Sequence, residues 1–416
     1  MSTGARIVLV VAALALLPAS PAGAGVPVGE CSFDAGSGVL TVTPAPAAVI
    51  YREGDGIKVD DDTCDGATVT TVDTIDVTVV TAGDDLEIRL NTGPFAPGKT
   101  DEGDGSSEIE FTMSGEAPDL MIRGTTGADH FAAAMGPAPA GLGIENAADF
   151  PAFDLNADEA TPDIDVTLLT PGNTSIQLLP GDDTYSGAGI GDAPPIFFDV
   201  SGVTGGGGDD LIAPGYGGGL AGSIYVGSGG NDTFSFDWLP VGCLPVAIPT
   251  TTGSIVAAHG MTCDGAAQFA YAKFERFVGH AGSDWFGGDT GDDVVMTRGG
   301  DDRLFARGGD DVLDGGPGHD IGIWTETGRV EADLRTGKAL VGAWTQILIG
   351  LEDLIGSPNN DVLVGDGRDN RIGGEAGDDI LRGKGGIDDL NGGGGVDACD
   401  MGLPGSGETV INCERH

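Results

Sequence analysis

Residues 299–314 read GGDDRLFARGGDDVLD, in which the unit Gly-Gly-Asp-Asp returns after nine positions. Counting in nines from Gly282 keeps the pattern in phase through Gly282-Ser283-Asp284, Gly291-Asp292-Asp293, Gly300-Asp301-Asp302, Gly309-Asp310-Asp311 and Gly318-His319-Asp320. Two residues beyond each Asp stands Phe286, Val295, Leu304, Leu313 and, in the last unit, Gly322. A second block repeats the phrase as Asn359-Asn360-Asp361, Arg368-Asp369-Asn370, Gly377-Asp378-Asp379, Gly386-Ile387-Asp388 and Gly395-Val396-Asp397. Its apolar positions are Leu363, Ile372, Leu381, Leu390 and Cys399. A short period held over so many units is the signature of a repeat architecture.

The unit dictates its own geometry. A short strand points one apolar side chain inward, and a glycine-rich turn reverses the chain through φ > 0 conformations without a Cβ clash. One nonapeptide cannot bury its single apolar residue, so units must stack. Stacking brings each turn beside the turn two units along, and the Asp lies next to carbonyls freed by the bend. A hard cation seeking roughly 6–8 oxygens finds carboxylates and carbonyls from two turns there. Magnesium resists so flexible a cage, and zinc prefers nitrogen or sulfur. Calcium is the expected ion.

The segments Gly299–Asp314 and Gly374–Asp397 resemble the RTX, or haemolysin-type, calcium-binding nonapeptide family with its GGxGxDxUx consensus. The resemblance implies a parallel β-roll with calcium between successive turns, and folding that depends on calcium. Carried over by position, the ligand carboxylates are Asp284, Asp293, Asp302, Asp311, Asp320, Asp361, Asp379, Asp388 and Asp397. The accompanying turn glycines are Gly291, Gly300, Gly309, Gly377, Gly386 and Gly395. Pairing turns two units apart gives three sites per block, about six in all. Departures from the consensus are Arg298, Arg307, Glu375 and Lys384 at the second glycine, and Arg368-Asp369-Asn370, which lacks both glycine and the key Asp. The pairs Asp293/Asp311 and Asp379/Asp397 keep the pattern best, and a site involving Asn370 is expected to be weak or empty.

Charge and chain ends fit an exported protein. There are 65 acidic and 19 basic residues, a net charge of −46. Such a charge repels phosphate backbones and anionic lipid, so no nucleic acid and no membrane insertion are expected. An acidic solvation coat or disorder would accept either acid, but residues 281–400 hold 21 Asp and only 4 Glu. The short carboxylate beside glycine points to ligand geometry. Residues 1–24 read as a signal peptide: Arg6, an apolar run from Ile7 to Leu17, then Pro18 and Ala22-Gly23-Ala24. The localisation expected is secreted. Six cysteines fall as Cys31/Cys64, Cys243/Cys263 and Cys399/Cys413. Nearest-neighbour pairing is the expected connectivity, although sequence alone admits others.

The expected organisation is all-β. Residues 25–278 form an irregular β-solenoid or β-sandwich with thin echoes of the motif at Gly83-Asp84-Asp85, Gly127-Ala128-Asp129, Gly181-Asp182-Asp183, Gly208-Asp209-Asp210 and Gly230-Asn231-Asp232, each of which reads equally as a plain turn or a calcium half-site. Residues 279–322 are the first nonapeptide block, 323–355 a β spacer, 356–400 the second block, and 401–416 a disulfide-fastened cap. In the spacer, Arg329–Leu334 and Thr345–Ile349 alternate as strands around a turn at Arg335–Lys338. Trp324 and Trp344 are expected in the core or cap.

Catalytic signatures are absent from the sequence. The stretch Gly93–Thr100 spells a P-loop, but Asp101-Glu102-Gly103-Asp104-Gly105 follows in place of a helix. There is no HExxH and no G-x-S-x-G elbow, and His130, His259, His280, His319 and His416 share no spacing. The expected function is a secreted, non-enzymatic calcium-binding repeat protein that folds on calcium and serves as a structural or adhesive scaffold. Its partners are calcium and a cell-surface or matrix polysaccharide. The alternative is a polysaccharide lyase or epimerase whose acids lie hidden in residues 25–278.

Overall fold

The structure is a computed structural model that describes residues 29–93, 95, 109–136, 150–155, 166–169, 173–187, 202–214, 223–237, 246–247, 256–257, 269–288, 290–324, 328–402, 407 and 409–415. The leader, Cys243 and Cys263, His259, His416 and most of the P-loop-like stretch lie outside these residues. Among the described residues every regular element is a strand apart from one 3-10 turn at Cys64–Gly66. None of these residues forms a helix long and apolar enough to cross a membrane.

The chain winds as a parallel β-solenoid. Near the N-terminus one ladder stacks Val39–Thr43, Thr74–Val79, Glu110–Gly115 and Val166–Leu168. A second stacks Ala47–Glu53, Asp85–Arg89, Asp119–Arg123, Asn173–Pro180, Gly202–Gly207, Ser223–Gly229 and Phe269–Ala272. A third begins at His130–Gly136 and continues through Thr184–Ser186, Leu211–Ala213, Thr233–Ser235 and Arg276–Val278. It then runs without a break into the nonapeptides, adding Val294–Met296 and Val312–Asp314. Of the two architectures open for residues 25–278, the parallel pairing selects the solenoid.

The C-terminal roll has two faces. The third ladder forms one; Trp285–Gly287, Arg303–Phe305, Ile321–Ile323, Asp353–Ile355, Arg371–Gly373, Asp389–Asn391 and Thr409–Ile411 form the other. Between the blocks the first face is extended by an antiparallel meander of Val330–Asp333, Lys338–Val341 and Trp344–Ile349. Its outer strands pair in parallel with Val312–Asp314 on one side and Val362–Val364 on the other, so both blocks share one sheet.

The three-residue strands of the roll bury their middle side chain, because alternation aims that one inward; the exceptions are Gly322, which has none, and Val410 in the last strand, which is half-buried. Phe286, Val295, Leu304, Leu313, Leu363, Ile372, Leu381 and Leu390 are buried, and Tyr185, Ile212, Phe234 and Phe277 continue the column upstream. Gly322 occupies an inward position and contributes no side chain. The Trp324 ring and Leu351 fill that gap: a Cβ built on Gly322 would meet both. Trp324 is accordingly wholly buried, while Trp344 is 44% exposed and lies over Gly308. Disulfides join Cys31 to Cys64 and Cys399 to Cys413.

Candidate metal centre

The turns of the roll carry two hydrogen-bonded rails. On the inner rail the backbone N–H of one key residue donates to Oδ1 of the Asp one coil later. Asp284 donates to Asp302 at 2.8 Å and Asp302 to Asp320 at 2.9 Å. On the opposite edge Asp293 donates to Asp311 at 3.1 Å. In the second block Asp361 donates to Asp379 at 2.8 Å, Asp379 to Asp397 at 2.9 Å, and Asn370 to Asp388 at 3.0 Å. All these steps span 18 residues, so the partners are turns two units apart. The outer rail uses the preceding, exposed residue and runs the other way: the N–H groups of Asp310, Asp378 and Val396 donate to Oδ1 of Asp292, Oδ1 of Asn360 and Oδ1 of Asp378.

The nine aspartates singled out in the sequence are all buried. Their remaining oxygens differ. The first residue of each rail is satisfied locally: His280 binds both oxygens of Asp284, through its N–H at 2.9 Å and Nδ1 at 2.7 Å. Ser357 donates its N–H and hydroxyl to Asp361 at 2.6 and 3.0 Å. Further along, Oδ2 of Asp320, Asp379 and Asp397 is buried and accepts no hydrogen bond. A buried carboxylate oxygen without a donor costs the full desolvation penalty of a charged group.

Carbonyl oxygens converge on the same points. A Cβ added at Gly374 would collide with Asp379 Oδ2 and the Gly392 carbonyl, and one added at Gly392 with Asp397 Oδ2 and the Asn412 carbonyl. Only glycine at this first position of the unit lets the carboxylate and carbonyl oxygens approach so closely. Glycines at the fourth position, such as Gly300, Gly377 and Gly395, have φ of 137°, 124° and 151°. The second position also needs φ > 0, and Arg298, Glu375 and Lys384 adopt 71°, 73° and 84° there despite their side chains.

Burial and neighbouring negative charge raise the affinity of these carboxyls for protons. Burial chiefly, with Asp302, Glu352 and Asp301 close by, pushes Asp320 up to about 8. Asp379 rises to about 7 through burial and the charges of Asp361, Asp397 and Asp378. Asp311 rises to about 7 mainly through burial, although the Asp293 N–H and Gln346 hold it down in part. No three His, Cys, Asp or Glu side chains gather to hold a metal among the described residues. The donor set at each turn is therefore one or two carboxylates completed by carbonyls: all oxygen, flexible, and suited to a hard divalent ion.

One family model matches the chain, that of the RTX calcium-binding nonapeptide repeat (4 copies), over residues 275–296, 287–321, 355–390 and 373–400. The C-terminal region is an RTX repeat region. No curated protein matches the chain. The RTX segments coincide with the two rail-bearing blocks and stop on either side of the meander, so calcium-binding repeats and orphaned carboxylates occupy the same turns.

Three residues that end the rails were not legible in the repeat. Glu352 Oε2 accepts the Asp320 N–H at 3.0 Å, Glu414 Oε2 accepts the Asp397 N–H at 2.8 Å, and Glu275 Oε2 accepts the Asp232 N–H at 2.9 Å. Each sits on a tightened turn behind a positive-φ residue: Gly350 at 64°, Asn412 at 53° and Lys273 at 60°. The shorter turn sets the backbone back, and the extra methylene of Glu spans the difference. A signal was present in Phe274-Glu275-Arg276, Leu351-Glu352-Asp353 and Cys413-Glu414-Arg415, but it lies off the nine-residue phase. Asn370 keeps its rail without charge, donating Nδ2 to the Glu352 carbonyl at 2.8 Å and accepting the Asp366 N–H at 2.8 Å.

Proposed function

We propose that the protein is an extracellular scaffold whose folding is driven by calcium at the RTX turns. The observation that carries this reading is the set of buried, donor-free Oδ2 atoms on Asp320, Asp379 and Asp397. Bound calcium supplies the positive charge that lets such carboxylates stay ionised when buried. Of the nine aspartates, Asp293, Asp302, Asp320, Asp379, Asp388 and Asp397 are the side chains that hold it, together with carbonyls of the facing turns, whereas the oxygens of Asp284, Asp311 and Asp361 are taken by His280, by Gln346 with the Asp293 N–H, and by Ser357. Without the ion, the buried charges of a chain carrying 65 acidic residues oppose compaction. Disulfides at both described ends and calcium-dependent turns suit an oxidising, calcium-rich medium outside the cell.

The reading is non-catalytic: the perturbed acids serve the rails and the ion. The partner class it names is a cell-surface or matrix polysaccharide. The decisive experiment is far-UV circular dichroism of the full chain, titrated with calcium and separately with magnesium. A calcium-specific gain of β signal, reversed by chelator, is expected. A spectrum indifferent to calcium overturns the reading, and turnover of a uronic-acid polymer by the calcium-loaded protein replaces the scaffold with a lyase or epimerase.

A further inference from the structure

The inner rail does not begin at the RTX repeats. Along the third ladder the Asp129 N–H donates to Asp183 Oδ1 at 2.8 Å, Asp183 to Asp210 at 3.0 Å, and Asp210 to Asp232 at 3.0 Å. The separations are 54, 27 and 22 residues; the first two are multiples of nine, but the steps are unequal and the last breaks phase, so the line does not read as a repeat. The backbone is continuous with the repeats: the carbonyls of Asp129, Asp183, Asp210, Asp232, Glu275, Asp293 and Asp311 each accept an N–H from the next coil. The outer rail is present as well, with the Asp209 N–H on Asp182 Oδ1 at 3.0 Å and the Asn231 N–H on Asp209 Oδ1 at 2.9 Å.

Hydrogen bonds alone would be satisfied by plain turns. A second observation separates the two cases. Oδ2 of Asp183, Asp210 and Asp232 is buried without any hydrogen-bond partner, and the three residues are 0%, 1% and 0% exposed. Carboxylate and carbonyl oxygens also converge here as they do in the repeats: a Cβ on Gly205 would run into Asp210 Oδ2 and the Gly227 carbonyl, and one on Gly227 into Asp232 Oδ2 and the Lys273 carbonyl. Gly206, Gly208 and Gly230 have φ of 146°, 147° and 153°, the left-handed bends that release those carbonyls. Burial pushes Asp183 up to about 7 and Asp210 to about 6, with Asp129, Asp232 and the outer-rail acids adding to the effect. Lys273 offsets the charge only at Asp232.

We propose that the turns carrying Asp183, Asp210 and Asp232, which lie outside every RTX match, are further calcium sites, one between Asp183 and Asp210 and one between Asp210 and Asp232. The donor chemistry equals that of the repeats, carboxylate Oδ2 plus carbonyl oxygen, and it rests on the reading of those turns as calcium sites. The line ends at Asp129, whose Oδ2 already accepts the Thr125 N–H at 2.7 Å. Calcium thereby extends from the repeats along one edge of the solenoid and braces coils that the nonapeptide period does not reach.

The test counts calcium bound per full-length chain by equilibrium dialysis, with calcium alone as probe. Asp183→Asn with Asp210→Asn keeps the Oδ1 acceptors of the rail and removes the charge, so it should lose one to two bound ions. Asp379→Asn with Asp397→Asn should lose a separate set. An unchanged count in the first double variant, with loss in the second, overturns this inference and leaves the RTX reading intact. Absence of binding in the unaltered protein overturns both. Should the first variant not fold, terbium-soaked crystals of the unaltered chain decide: an anomalous peak beside Asp210 Oδ2 and the Gly227 carbonyl supports the site, and an empty position there refutes it.

Discussion

Gln346 donates its Nε2 to Asp311 Oδ2 at 2.6 Å. The amide orientation is fixed from behind, because the Trp324 indole N–H donates to Gln346 Oε1 at 2.6 Å and an indole nitrogen cannot accept. A neutral amide thus occupies the free oxygen of Asp311, whereas the equivalent oxygens of Asp379 and Asp397 have no donor. The two aspartate pairs that keep the consensus best are therefore not equivalent: one ends at an amide from the meander, the other ends open.

Gln346→Leu should strand both the Trp324 indole and a carboxylate that is otherwise partly satisfied. A loss of about 2–4 kcal/mol is expected for the calcium-loaded protein. Urea unfolding at saturating calcium measures it, and a midpoint within error of the parent would show that the amide is incidental.

The closing glutamates should behave as acceptors and not as charges. Glu414→Ala leaves the Asp397 N–H without its bond and should cost roughly 1–3 kcal/mol, while Glu414→Gln retains an oxygen and most of the stability. Hydrogen exchange at the Asp397 amide reports the difference directly. Equal protection in both variants would remove Glu414 from the rail.

Stability without calcium should fall as pH rises. Carboxyls held above their unfolded value of about 4 favour the folded state when protonated, so the ion-free fold is most stable below about pH 4. It loses stability as pH climbs through the folded values of about 6 for Asp210 and Asp302, about 7 for Asp183, Asp311 and Asp379, and about 8 for Asp320. Calcium binding should tighten over the same window because bound protons must leave. Thermal melts across pH with and without calcium check the sign; a stability that rises with pH in the absence of ions contradicts it.

Glu375→Gly and Lys384→Gly should stabilise the roll. Both residues hold φ above 70° where the unit calls for glycine, a conformation that costs a side-chain-bearing residue roughly 1–2 kcal/mol. Glycine also loses more entropy on folding, so a net gain of about 0.5–1 kcal/mol per site is expected. Calcium-saturated denaturation curves read it.

Opening the Cys399–Cys413 bridge frees the tail that carries Glu414. The loop spans 14 residues, and its closure contributes about 3 kcal/mol in the chain-entropy account. Cys399→Ala with Cys413→Ala should expose the last coil first, seen as early proteolysis near residue 400 while the upstream coils stay resistant. Uniform resistance along the chain would assign the cap elsewhere.

The periodic part of the molecule was readable because every unit states its own turn, strand and carboxylate. Asp284 and Asp302 lie 18 residues apart, a spacing that alternation between two faces makes inevitable. Gly322 looked like a lapse in that pattern, and only packing explains it, since Trp324 and Leu351 reach into its place from outside the repeat.

By itself the sequence determined the repeat, the inward column and the oxygen-only chemistry of the turns, because these follow from residues within nine positions of one another. Tertiary structure decided the rest. It set Asp183, Asp210 and Asp232 on the line of Asp293 across irregular spacings, placed Glu275, Glu352 and Glu414 at the rail ends, and brought Gln346 to Asp311. Parallel stacking registers coils by their backbone hydrogen bonds and leaves the length of the intervening loops free. A shared edge can therefore persist where the sequence period is lost.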